Sequence, residues 1–198
     1  MTETDRLLTV PSAVMQQQNE MVAALAKPGE AIVESLTPAK AHLLHMAVGM
    51  IGELIEMHDA SDRENAVEEA GDFEFYFTGF MQGINATEEE LRETEVEIGH
   101  TNFLSTVGVL LDLTKKFTVY NKDVDRDLFV QQLVRVGYFM DNVYVQTAEQ
   151  QSNTDPITRE EAIRHNINKL WTGENARYSS GSYSDEQAQA RADKVDQE

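Results

Sequence analysis

Apolar residues recur three and four positions apart along most of the chain, with prolines and glycines punctuating the runs. That spacing prescribes amphipathic helices, and no stretch alternates apolar and polar residues as a half-buried strand does. The expected fold class is therefore an all-α helical bundle. Ser12 is placed to cap a first helix that runs to about Ala26 and stops at Lys27-Pro28-Gly29. Thr37-Pro38 opens a second helix, to about His58, with Leu43, Leu44, Ala47, Met50, Ile51 and Leu54 as its apolar stripe. Ser61 or Asp62 caps a third, carrying Val67, Ala70, Phe73, Phe77 and Phe80 and ending near Gly83.

Further along, Thr87 with Glu90 forms a capping box for a short acidic segment reaching Ile98. A helix from about Asn102 to Tyr120 follows, with Leu104, Val107, Leu110, Leu111 and Leu113. Another, from about Asp125 to Glu149, carries Phe129, Leu133, Val136, Tyr138, Met140 and Val143. Thr158 with Glu161 opens a helix ending at Trp171-Thr172-Gly173, and Ser184 with Gln187 starts a last short one. At 198 residues the chain reads as one domain, with its core over about 38–171 and a C-terminal tail over 172–198.

The chain has no cysteine, which excludes disulfides, thiolate metal sites and cysteine nucleophiles and suits a reducing cytoplasm. A net charge of −19 argues against binding the nucleic-acid backbone, though not against a small anionic ligand held through a metal. The N-terminal MTETDRLLTV, with Glu3 and Asp5, has no apolar h-region, so no signal peptide is expected. The apolar stretch from Leu43 to Ile51 is too short to span a bilayer and contains His45, so no membrane association is expected either.

The chemistry concentrates in two carboxylate pairs, Glu53-x-x-Glu56 and Glu69-x-x-Asp72, on the second and third helices. Residues three apart share a helix face, so a hairpin of these helices would bring four acids into one small volume. Packed carboxylates repel and partly protonate, and a hard divalent cation such as Mg²⁺ removes that penalty. Any one acid on a helix is ordinarily a solvated group. Four acids flanked by Gly52 and Gly71, which would let helices approach closely, are better explained as a metal site.

At these residues the chain resembles the all-α nucleoside triphosphate pyrophosphohydrolases, the MazG-like family. The resemblance rests on Gly52-Glu53-x-x-Glu56, then Glu68-Glu69-Ala-Gly71-Asp72, then a helix containing Tyr76. A second match, similar to the tail of phage-encoded members, is Asn166-x-x-Lys169-Leu170 with Arg177-Tyr178, the Tyr183-Ser184 turn and Arg191. The resemblance implies Mg²⁺-dependent hydrolysis of a nucleoside triphosphate to the monophosphate and pyrophosphate, with Mn²⁺ able to substitute. It implies metal ligands at Glu53, Glu56, Glu69 and Asp72, a general base at Glu53 or Glu68, and homodimeric or homotetrameric assembly. Lys169 and Arg177 would support the leaving pyrophosphate, and Asn166 would donate to a phosphate or sugar oxygen. Lys115 is a weaker phosphate contact, and His45 lies on the Glu53 side of its helix, near a base or sugar.

Other readings stay open at this stage. One is a non-catalytic module that senses a nucleotide or docks on a host protein, and another is hydrolysis of a guanosine polyphosphate alarmone. Gly108-Val-Leu-Leu-Asp112 and Arg135-Val-Gly-Tyr138-Phe echo the acid hairpin as a degenerate internal duplication, keeping only Asp112 as a carboxylate. Glu74 is expected to be an exposed acid or an extra ligand, and the run Glu88-Glu89-Glu90 a solvated face. Glu97-x-x-His100 stands alone, whereas a carboxylate di-iron bundle needs two such motifs.

Overall fold

The computed structural model describes residues 11–99, 102–150, 155–178 and 181–190, with backbone alone at 141 and 145–150. The N-terminal MTETDRLLTV, His100 and Arg191 lie outside the described residues. Among the described residues the chain is all-helical, with no strand. Among these residues no helix is long and apolar enough to cross a membrane. The chain divides between Leu36 and Thr37 into two compact units.

The first unit holds α1 (Ser12–Leu25) and α2 (Gly29–Ser35). Ser12 does not cap α1. Pro11 occupies that position, and its carbonyl accepts from the amides of Val14 and Met15. The α2 turn is absent from the sequence expectation because Gly29 reads as a stop. Pro28, fixed near φ −58°, instead launches a new helix from the N-cap position.

The second unit builds its core from a hairpin, α3 (Pro38–Asp59) and α4 (Arg63–Gly83). Thr37 caps α3 through the Lys40 amide, and Asp62 caps α4 through the Asn65 amide at 2.9 Å. The α4 stripe of Val67, Ala70, Phe73, Phe77 and Phe80 is wholly buried, against Leu43, Met46, Ala47, Met50 and Met57 of α3. After the short α5 (Glu88–Glu93) come α6 (Phe103–Thr118) and α7 (Arg126–Gln150), which pack on each other. Helix α6 also packs on α3, and α7 on α4. Then α8 (Arg159–Ile167) lies against α4 and runs into a π-helical turn over Asn168–Thr172. A last helix, α9 (Asp185–Ala190), is polar.

Two expected core residues face outward: Leu104 is 63% exposed and Tyr138 55%. In α6 the core face is shared by threonines. Thr106, Thr114 and Thr118 are buried, and each hydroxyl donates to the carbonyl four residues earlier, at 3.0, 2.8 and 2.8 Å. A threonine satisfied in this way behaves as a small apolar residue, so the buried stripe turns away from Leu104.

Arginines tie the helix starts together. Arg126 donates to Glu90 and to the carbonyls of Ile84 and Asn85, and Arg63 makes a two-pronged pair with Glu161. Glu74 is not exposed, and it lies outside the group formed by Glu53, Glu69 and Asp72. It is buried, accepts from Tyr144 Oη at 3.0 Å, and pairs with Arg159 at 2.8 Å. Arg159 also holds Glu88, so the acidic run Glu88-Glu89-Glu90 is anchored at two of its three members.

Candidate metal centre

The α3–α4 hairpin sets Glu53 opposite Glu69 and Asp72, and these three offer carboxylate oxygens that all lie within 4.8 Å of one another. Glu69 is buried, while Glu53 and Asp72 are half-buried. Asn65, one turn before Glu69, donates to it at 3.0 Å and fixes its rotamer. Only the i,i+4 spacing signals this contact in the sequence. Glu56 does not join the three. It lies on the exposed flank of α3, yet near enough for its charge to act on Glu53 and Glu69.

Helix α8 delivers the fourth side of the site because Gly71 admits it. A Cβ at position 71 would lie 2.6 Å from the Ala162 carbonyl oxygen and 2.9 Å from Asn166 Cβ. That close approach brings Asn166 Nδ2 to Asp72 Oδ1 and Lys169 Nζ to Asp72 Oδ2 and Glu68 Oε1, the last at 3.1 Å. Gly52 has no such part, since nothing would lie within 4 Å of its Cβ. Gly49 does, because the Tyr76 ring rests on it. Replacing Gly71 with alanine should therefore destabilise the fold by about 1–3 kcal/mol through overpacking against backbone. The same change at Gly52 should stabilise by about 0.5–1 kcal/mol through helix propensity. Urea unfolding of both variants measures the two signs.

Lys169 sits on the π-helical turn, whose wider register is closed by the Gly173 amide donating to Asn168 O. The following loop folds back, with the Arg177 and Tyr178 amides donating to the carbonyls of Lys169 and Leu170. Arg177 and Tyr178 thereby come near Tyr76, on whose hydroxyl their charges act along with those of Glu53 and Asp72. His45 is exposed and meets Tyr76 edge-on, at 5.6 Å between ring centroids, so it stands at the rim. Lys115 is joined to the acid cluster by none of the described contacts. It pairs with Asp112 on its own helix at 3.0 Å, as Lys116 does at 2.6 Å.

The electrostatics are those of crowded, partly desolvated acids. Burial first, then the charges of Asp72, Glu56 and Glu69, push Glu53 up to about 8, with Lys169 acting in the opposite direction. Burial and its acidic neighbours also raise Glu69. Burial raises the Tyr76 hydroxyl, with Glu53 and Asp72 adding to it. The donor set fits a small hard cation: all its ligand atoms are carboxylate oxygens. Oxygens bound to one Mg²⁺ at about 2.1 Å lie about 3–4.2 Å apart, so the set needs to contract only slightly.

Among the described residues the second helix pair offers no such site. Val109 and Tyr138, which echo Glu53 and Asp72, are exposed, and Asp112 is held by its two lysines. Arg135, echoing Glu69, donates to the Glu97 carbonyl at 3.2 Å. Comparison with protein-family models, curated proteins and solved structures finds no match to this chain.

Proposed function

We propose that this protein is a Mg²⁺-dependent nucleoside triphosphate pyrophosphohydrolase of the MazG-like kind. The observation that carries the reading is the convergence of Glu53, Glu69 and Asp72 beside Lys169 and Asn166. When bound, Mg²⁺ neutralises the triphosphate and lowers the pKa of a water molecule. The side chains divide the remaining work. Glu53, Glu69 and Asp72 would hold the cation, and Glu56 adds negative charge from the flank. Glu53 is the candidate base, through whichever carboxylate oxygen the cation would leave free. Glu68 is engaged by Lys169 and is the weaker candidate base. Asn166, Lys169 and Arg177 supply donors for phosphate oxygens, and the Tyr76–His45 pair offers an aromatic edge for a base or sugar. In this reading the enzyme acts in the cytoplasm as a homodimer or homotetramer, as the family resemblance implies.

One observation favours a second reading, a non-catalytic nucleotide-sensing module. Both Asp72 oxygens are engaged by protein donors, so the cluster is partly neutralised without a metal. A screen of the eight common NTPs and dNTPs and guanosine tetraphosphate with Mg²⁺, scored by pyrophosphate release, separates the two. Hydrolysis of at least one nucleotide is expected. Glu69→Gln should lower the rate on the order of 100-fold, and the exposed Glu56→Gln about tenfold. Nucleotide binding without any pyrophosphate release would favour the sensing module. Full activity in both variants would remove the metal assignment.

A further inference from the structure

Lys169 lies at the edge of the acid cluster. Its side chain is only 6% exposed, and its ammonium is bonded to Asp72 and Glu68 at the edge of the three-acid cluster. Asn166 occupies the other Asp72 oxygen. The chain's own cation thus stands against the same carboxylate that completes the metal set. A divalent ion bonded to Asp72 would bring its charge close to that ammonium, and two cations sharing one carboxylate in a partly desolvated pocket repel strongly. Lys169 sits on a π-helical turn, and such turns recur at functional sites.

We propose that Lys169 is a built-in counter-ion of the acid cluster, which an incoming divalent metal displaces from Asp72. The released ammonium then meets the phosphates that arrive with the metal. This inference rests on the metal-site reading above. It adds that metal binding and lysine release are one exchange, so that the cluster is never left as bare, mutually repelling carboxylates. Metal affinity without nucleotide is accordingly weaker than three converging carboxylates would give, and binding of a polyphosphate, which takes up the displaced ammonium, strengthens it.

The test uses the full-length protein and Mn²⁺ as probe, titrated without nucleotide and followed by electron paramagnetic resonance. Lys169→Met is expected to bind Mn²⁺ at least about tenfold more tightly than the wild type while hydrolysing nucleotide more slowly. Arg177→Met, which removes a neighbouring cation whose charge acts on Tyr76, is the through-space control and should tighten binding less than about threefold. Trp171, the one tryptophan, lies on the same turn and gives a readout independent of activity. Its fluorescence should change on Mn²⁺ addition to the wild type and not to Lys169→Met. Should Lys169→Met not fold, Lys169→Gln replaces it.

Unchanged or weaker Mn²⁺ binding in the lysine variant overturns the exchange, as does equal tightening by Arg177→Met. A protein that shows the exchange yet hydrolyses no nucleotide would retain this inference while losing the enzymatic reading. Absence of Mn²⁺ binding in every variant would remove both.

Discussion

Arg159→Leu is expected to destabilise the protein by about 3 kcal/mol at pH 8, because it leaves Glu74 buried without its cation. Glu74 is 3% exposed and has two side-chain partners, Arg159 at 2.8 Å and the Tyr144 hydroxyl at 3.0 Å. The arginine also covers the Phe77 ring and holds Glu88. The size of the loss should depend on pH, with a definite sign. Burial already raises Glu74 above the usual carboxylate range, with Arg159 opposing the rise. Without the arginine, its folded pKa moves further up. The stabilisation tied to that proton is complete below the unfolded value of about 4.5 and is lost as pH climbs through the folded one. The variant's deficit should thus be small near pH 4.5 and largest at pH 8, where the wild type keeps its ion pair. For a chain of this size, about 3 kcal/mol corresponds to a Tm lower by roughly 6–12 °C. Glu74→Gln added to Arg159→Leu should recover part of the loss at pH 8, since an amide buries no charge. Urea melts of the single and double variants at both pH values give the comparison, and a deficit equal at the two pH values would sink the account.

How much of this was legible beforehand follows from which interactions are local. The caps at Thr37, Asp62, Thr87, Asn102 and Thr158 are sequence signals, because each side chain accepts from an amide three residues on. The wholly apolar stripe of α4 is legible for the same reason. The threonine face of α6 is not, since Thr106, Thr114 and Thr118 read as polar until their hydroxyls are seen bonded to their own helix. The acid pairs are visible as motifs, but spacing alone does not tell Glu53, which turns inward, from Glu56, which faces solvent. Nor does it tell Gly71, which admits α8, from Gly52, which admits nothing. The Lys169–Asp72 bond spans 97 residues and depends on that one close approach. The pairing of Glu74 with Arg159, 85 residues apart, is equally beyond local pattern.

Glu53→Gln should make the metal-free protein more stable at pH 8 while abolishing its response to Mg²⁺. The folded state holds Glu53 protonated up to about 8, whereas in the unfolded chain the group ionises near 4.5. Between those values the folded state binds a proton that the unfolded state has released. Stability from this group is therefore full below about 4.5 and declines as pH rises, by at most about 1.4 kcal/mol per pH unit. Glutamine carries no charge for Asp72, Glu56 and Glu69 to repel, so the variant's pH profile should be flatter and its midpoint higher at pH 8 in a chelator. Adding Mg²⁺ reverses the order. A ligand that binds only the folded state stabilises it, by about 2.7 kcal/mol at a hundred times its dissociation constant. The wild type, whose Glu53 gives up its proton to the ion, should gain this, while the variant should gain little. Pyrophosphate release should fall in parallel, by about 10²-fold or more if Glu53 also takes the water's proton. Acids that destabilise the empty fold and stabilise the loaded one mark a site shaped for a cation rather than for stability. A variant less stable than the wild type in chelator at pH 8, or one still stabilised by Mg²⁺ to the wild-type extent, would show that Glu53 serves the fold instead.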